Sequence, residues 1–158
     1  MNMKTIVLYT TRHGSTETIA KKIASQLQAD RCNILKDIIP DLKSYEAVII
    51  GAPIYLGSIN PKMTALIEEN TSTLLTKKIG LFLVCLMDEE LAAEQFNVAY
   101  GNELLSHSSA DGFFGGKMPK NLLNPIEKMI THVAFRHKPI HEDILATEVD
   151  KFIDIFKA

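Results

Sequence analysis

Three short runs of this chain, residues 6–9, 47–51 and 79–86, carry almost nothing but apolar side chains and glycine. Successive strand side chains point to opposite faces of a sheet. A strand apolar at every position must therefore be covered on both faces, as in a parallel sheet flanked by helices. The stretches between the runs have a different period. Ile19, Ala20, Ile23, Ala24 and Leu27 recur at helical spacing, as do Leu91, Ala92, Phe96, Ala99 and Tyr100. Near the C-terminus Ile144, Leu145, Val149, Phe152, Ile153 and Phe156 form a third such set.

The reading in order is a strand over Thr5–Tyr9, a helix over Ser15–Leu27, and a weak strand over 32–35. A short turn or helical piece follows at 41–45, then a strand at 47–51. Pro61 opens a helix through Leu66 and Ile67, since proline suits a first helical turn. A strand at 79–86, a helix at 89–105, a short strand at 111–115, and helices at 125–135 and 143–156 complete the chain. Strands alternating with helices predict an α/β fold with five parallel strands, right-handed crossovers and helices on both faces. The 158 residues suffice for one domain spanning 1–158, and no repeat, low-complexity tract or linker divides them. The segment 115–125, rich in Gly, Pro and Asn, reads as a loop before an extra helix.

Composition narrows the function. A formal net charge of -2 argues against a nucleic-acid binder, which needs a basic stripe. The longest apolar stretch falls far short of the ~20 residues of a membrane helix. Met1-Asn2-Met3-Lys4 leads straight into a strand without a secretory pattern. Cys32 and Cys85 make no disulfide framework, and a cytoplasmic location is expected. His132, His137 and His141 lie close in sequence, but Pro139 keeps His137 and His141 off one regular helix face. They read as surface histidines. Cys85 lacks the downstream arginine loop of a phosphatase nucleophile and reads as a small buried hydrophobe.

The chemistry concentrates where the first strand ends. Thr10-Thr11-Arg12-His13-Gly14-Ser15-Thr16 joins the strand to the helix. The first N–H groups of a helix lack internal partners, and the helix dipole places positive potential there. Hydroxyls beside such a terminus complete an anion site, or cap the helix in the ordinary way; the residues alone permit both. Gly-Lys-Ser/Thr and G-x-G-x-x-G are absent from this turn, which excludes the usual nucleoside-triphosphate and dinucleotide motifs. The third strand ends in Gly51-Ala52-Pro53, without the aspartate a receiver domain needs.

Tyr9, Thr11, Gly14, Thr16 and Ala20, with Val7 and Ile23 beside them, resemble in register the flavodoxin signature for flavin mononucleotide, FMN. The resemblance covers nearly the whole chain and implies a flavodoxin-like three-layer sandwich with sheet order 2-1-3-4-5. It implies that Thr10, Thr11, Arg12, His13, Gly14, Ser15 and Thr16 surround the FMN phosphate. Pro53, Ile54, Tyr55, Leu56 and Gly57 resemble the second flavin loop, with Tyr55 against the ring. In this family a peptide near such a glycine turns its carbonyl toward flavin N5, separating the two one-electron potentials. Leu86, Met87 and Asp88 occupy the third loop, which lacks the glycine-rich, tyrosine-bearing form of the small flavodoxins. Near-neutral charge is a second departure.

The segment 112–117 and the helix expected after it resemble a subgroup that includes quinone-linked protoporphyrinogen dehydrogenases. The resemblance therefore implies electron transfer between redox partners such as a reductase or ferredoxin. An FMN-dependent oxidoreductase is the alternative. The apolar residues of 122–135 read as core packing, or as a docking face for a quinone, a membrane surface or a partner. The loop at 117–124 lacks the arginines that a porphyrin's carboxylates favour.

Overall fold

The computed structural model describes residues 3–55, 57–85, 92–115 and 145–158. Five strands form one sheet: β1 (Thr5–Tyr9), β2 (Asp30–Asn33), β3 (Ala47–Pro53), β4 (Lys78–Val84) and β5 (Ala110–Phe114). Their order is β2-β1-β3-β4-β5, and every pairing is parallel. Among the described residues the helices are α1 (Ser15–Leu27), α2 (Pro61–Leu74), α3 (Ala92–Tyr100), α4 (Asn102–His107) and α5 (Leu145–Lys157), with a 3-10 turn at Leu42–Ser44. The expected sheet order and α/β architecture are thus observed.

The apolar runs divide their side chains between two cores. Ile6, Leu8, Val48, Ile50, Ile79, Leu81 and Leu83 face α2, α3 and α4 through Met63, Leu66, Phe96, Tyr100 and Leu104. Val7, Tyr9, Ala47, Ile49, Phe82 and Val84 face α1 and α5 through Ile19, Ile23, Phe152, Ile153 and Phe156. The strict alternation along each strand explains why those runs had to be apolar throughout.

One row across the sheet alternates aromatic residues with glycines: Tyr9 pairs with Gly51, Gly51 with Phe82, and Phe82 with Gly112. The glycines make room for rings. A Cβ on Gly51 would lie 1.9 Å from Cζ of Phe82, and one on Gly112 would lie 2.3 Å from Cζ of Phe114. Phe82 is held in turn by Phe114 and Phe152, with ring centroids 5.7 and 6.1 Å away.

Several boundaries differ from the sequence reading for local reasons. The second strand lies at Asp30–Asn33, not at 32–35. Asn33 ends it: its side-chain oxygen accepts from Leu35 N, and its carbonyl accepts from Lys36 N and Asp37 N. The single helix expected at 89–105 is two, because Gly101 adopts φ +79 between α3 and α4. Pro61 does open α2, and the Asn60 side chain caps it by accepting from Lys62 N at 2.9 Å. The helix expected at 125–135, the loop at 115–125 beyond Gly115, and His132, His137 and His141 lie outside the described residues. Cys32 and Cys85 are buried and not joined by a disulfide, the former on β2 and the latter just past β4.

Candidate functional site

The chain leaves β1 toward β2 on one side of the sheet, while β3 lies on the other. The C-terminal ends of β1 and β3 therefore flank the topological switch point, where open α/β sheets form their ligand crevice. The turns after these strands are tied together: Thr10 N donates to Gly51 O at 3.2 Å. By contrast, a depression of about 360 Å³ bordered by Thr5, Leu27 and Phe156 opens at the opposite end of β1.

Gly14 is the N-cap of α1, with φ +93, a conformation L side chains rarely adopt. Its N–H donates to Thr11 Oγ1 at 3.0 Å. Its carbonyl accepts from Thr18 N at 3.1 Å and from Thr18 Oγ1 at 3.0 Å. Thr11 Oγ1 serves there as an acceptor, so its own hydroxyl hydrogen remains to be donated. Among the described residues, nothing beyond its own helix backbone and chain neighbours lies within 4 Å of where a Gly14 Cβ would project. Thr10 is only 1% exposed, and its Oγ1 has no hydrogen-bond partner among the described residues. Thr16 is equally buried in the first turn, while His13 and Ser15 are half-buried and Arg12 is exposed. Buried hydroxyls are ordinarily satisfied, so an orphan among the described residues, just past β1 in the turn that leads to α1, is notable.

The second turn is a tight one. Tyr55 N donates to Ser58 O at 2.9 Å, and Ser58 N donates to Tyr55 O at 3.2 Å. Gly57 has φ +81 within that turn, the conformation for which glycine is suited. Pro53 ends β3 opposite Val84, and Ile54 N donates to Val84 O at 3.0 Å. Ile54 packs against the core on the α2 side of the sheet. Tyr55 is half-buried, and the Arg12 guanidinium lies over its ring at 3.7 Å. The resemblance implied Arg12 around a phosphate; the fold stacks its guanidinium on the second turn. Leu56, Leu86, Met87 and Asp88 lie outside the described residues.

Two further pairings were not foreseen. Tyr9 donates its hydroxyl to Glu17 Oε1 at 2.9 Å, joining the end of β1 to the first turn of α1. Burial, then the Glu17 carboxylate, pushes the Tyr9 phenol up to about 12. Tyr100, fully buried on α3, donates to Phe82 O at 2.7 Å. Burial raises its pKa as well. The buried tyrosines at 9 and 100 were legible as core residues, but nothing in the sequence indicated their partners. Among the described residues there is no group of three His, Cys, Asp or Glu able to hold a metal. No described helix is long and apolar enough to cross a membrane.

A doubly wound sheet of this order, with a hydroxyl-rich turn and an aromatic-bearing turn at its switch point, has the architecture of α/β domains of the mononucleotide type. The chain matches the flavodoxin domain model over residues 6–153 and belongs to that family. It is 34% identical over 77 residues to protoporphyrinogen IX dehydrogenase [quinone] of Escherichia coli (strain K12), a stretch covering 46% of this chain and 42% of the relative. The match thus spans less than half of that relative's length. A flavodoxin of Streptococcus pneumoniae TIGR4 superposes with TM-score 0.61 at 13% identity, covering 97% of each chain. A flavoprotein of Lactobacillus acidophilus NCFM, solved in complex with FMN, superposes with TM-score 0.51 at 16% identity, covering 72% of this chain and 91% of the other. These likenesses establish the fold; the family match and the partial relative agree with the subgroup expected from the sequence.

Proposed function

We propose that this chain binds one FMN noncovalently at the turns after β1, β3 and β4 and passes electrons between redox partners. The observation that carries this reading is the buried Thr10 hydroxyl, without a partner among the described residues, in the turn that leads from β1 into α1. A phosphate is a ligand such a place suits: it accepts from hydroxyls and helix N–H groups without needing a metal or lysine.

The residues fit the group. Thr10, Thr11, Ser15 and Thr16 supply hydroxyls, and residues 12, 13, 15 and 16 supply main-chain donors around Gly14. Pro53, Ile54, Tyr55, Leu56 and Gly57 form the proposed ring-side turn. Leu86, Met87 and Asp88 would border the ring from the turn after β4. Arg12 and His13 border the anionic end, with Arg12 also bracing Tyr55. When bound, FMN supplies the electron-accepting ring; the protein supplies its seat and electrostatic surroundings.

A second reading is an FMN-dependent oxidoreductase of the protoporphyrinogen dehydrogenase type. The partial identity to that enzyme favours it. The absorption spectrum of purified protein soaked with excess riboflavin 5′-phosphate tests the shared premise: retained yellow cofactor supports it, and colourless protein refutes it. Loaded protein is then offered protoporphyrinogen IX with a quinone, or a ferredoxin with its reductase. Turnover of the porphyrinogen identifies the enzyme, and exchange with the protein partner alone identifies the carrier.

A further inference from the structure

Glu17 places a carboxylate in the first turn of the helix whose N-terminus is the proposed phosphate seat. Counting from the Gly14 N-cap, it is the third helical residue. A glutamate there ordinarily reaches back to the N-cap N–H, the capping-box arrangement, where the helix dipole also favours it. That geometry would set a negative charge where an anion must enter. Here both partners of that bond are engaged elsewhere. Gly14 N–H is taken by Thr11 Oγ1, and the Glu17 carboxylate is held by the Tyr9 hydroxyl at 2.9 Å. Tyr9 is 2% exposed and is fixed in the aromatic–glycine row of the sheet, so its hydroxyl cannot follow a carboxylate that swings away.

We propose that Tyr9 is a positioning residue that keeps the Glu17 carboxylate off the helix terminus, leaving it open to a phosphate monoester. The role rests on the anion-site reading above and adds to it a determinant of selectivity for the phosphorylated ligand. The charges beside Tyr9 are Glu17, Arg31 and Asp37. Of these, Glu17 alone lies on the helix carrying the site.

The test compares riboflavin 5′-phosphate with riboflavin by fluorescence titration at low and high salt. Tyr9→Phe lowers affinity for the phosphate ester by about three- to tenfold in dilute buffer, the scale of a partly screened like-charge contact, and less in high salt. Riboflavin affinity does not change. Adding Glu17→Gln to Tyr9→Phe restores the phosphate ester to wild-type affinity or better. Glu17→Gln alone, on a half-exposed side chain, holds or raises that affinity and so tests the idea even if Tyr9→Phe folds poorly.

Equal losses for both ligands, failure of Glu17→Gln to restore binding, or weaker binding by Glu17→Gln alone would each overturn the role of Tyr9. Wild-type protein that binds neither the ester nor inorganic phosphate, read as thermal protection, would instead overturn the anion site beneath it.

Discussion

Replacing Thr10 with valine should make the ligand-free protein more stable and the FMN complex weaker. Valine keeps the branched shape and exchanges the hydroxyl for a methyl group. In the ligand-free protein that hydroxyl is buried and has no partner among the described residues. An unsatisfied buried polar group carries a penalty of about 1–3 kcal/mol, and its removal should recover at least about 1 kcal/mol. For a domain of 158 residues that corresponds to a rise in Tm of about 2–4 °C per kcal/mol.

Binding moves the other way. A hydrogen bond to a charged group contributes about 1.5–3 kcal/mol, so losing it weakens FMN by roughly 10- to 150-fold. Calorimetric unfolding of flavin-free protein reads the first quantity, and quenching of flavin fluorescence on titration reads the second. Thr10→Ser, which keeps the hydroxyl, should track wild type in affinity. The opposed signs make the prediction sharp, because general damage to the fold would lower both quantities. A Thr10→Val protein that melts lower than wild type, or that binds FMN equally well, would refute the assignment of this hydroxyl.

Thr16→Val should weaken FMN by about 1–2 kcal/mol in the same titration, its hydroxyl being buried in the first turn of α1. Gly57→Val forces φ +81 on a β-branched residue and should destabilise the turn by about 1–3 kcal/mol. In loaded protein it should also narrow the gap between the two one-electron potentials in a redox titration; an unchanged gap would exclude a role for that peptide. Tyr9 and Tyr45 are both raised to about 12, Tyr9 chiefly by burial and Tyr45 chiefly by its hydrogen bond to Asp30. The native phenols keep protons that the unfolded chain releases above about pH 10, so this stability is complete below pH 10 and lost toward pH 12. Ultraviolet titration of the native protein should show these two phenols ionising late, together with unfolding.

The fold was legible because the sheet is buried on both sides. Ile6 to Tyr9, Ala47 to Ile50 and Ile79 to Val84 each had to satisfy two cores, which left a pattern no exposed strand would produce. Ser15 and Leu27 bound α1 as read, since the turn before it and the apolar period within it agree. The misplacements have local chemistry behind them. Asn33 ends β2 with its own side chain, which the weak apolar signal at 32–35 concealed. Gly101 lies inside an otherwise periodic stretch, and a glycine there is tolerated by a helix as readily as it divides one. The signature residues marked the turn that carries the proposed site, but the side-chain partners depend on register and rotamer. Arg12 over Tyr55 spans two turns, and Tyr9 to Glu17 spans a strand and a helix.

The aromatic–glycine row connects these two levels, because Gly51 belongs to both. Its missing side chain admits the Phe82 ring, and its carbonyl receives the N–H of Thr10 at the base of the first turn. Gly51→Ala would drive a methyl group into a ring already confined by Phe114 and Phe152, an overpacking that destabilises by about 1–3 kcal/mol. Any shift of β3 that relieves the clash also moves the acceptor that anchors Thr10. The same substitution should therefore lower both Tm and FMN affinity, in contrast to Thr10→Val. Adding Phe82→Leu, which shortens the side chain, should recover part of both, a non-additivity expected only of residues in direct contact. Strictly additive losses in the double variant would mean that the core and the binding turn are independent, and that Gly51 matters to packing alone.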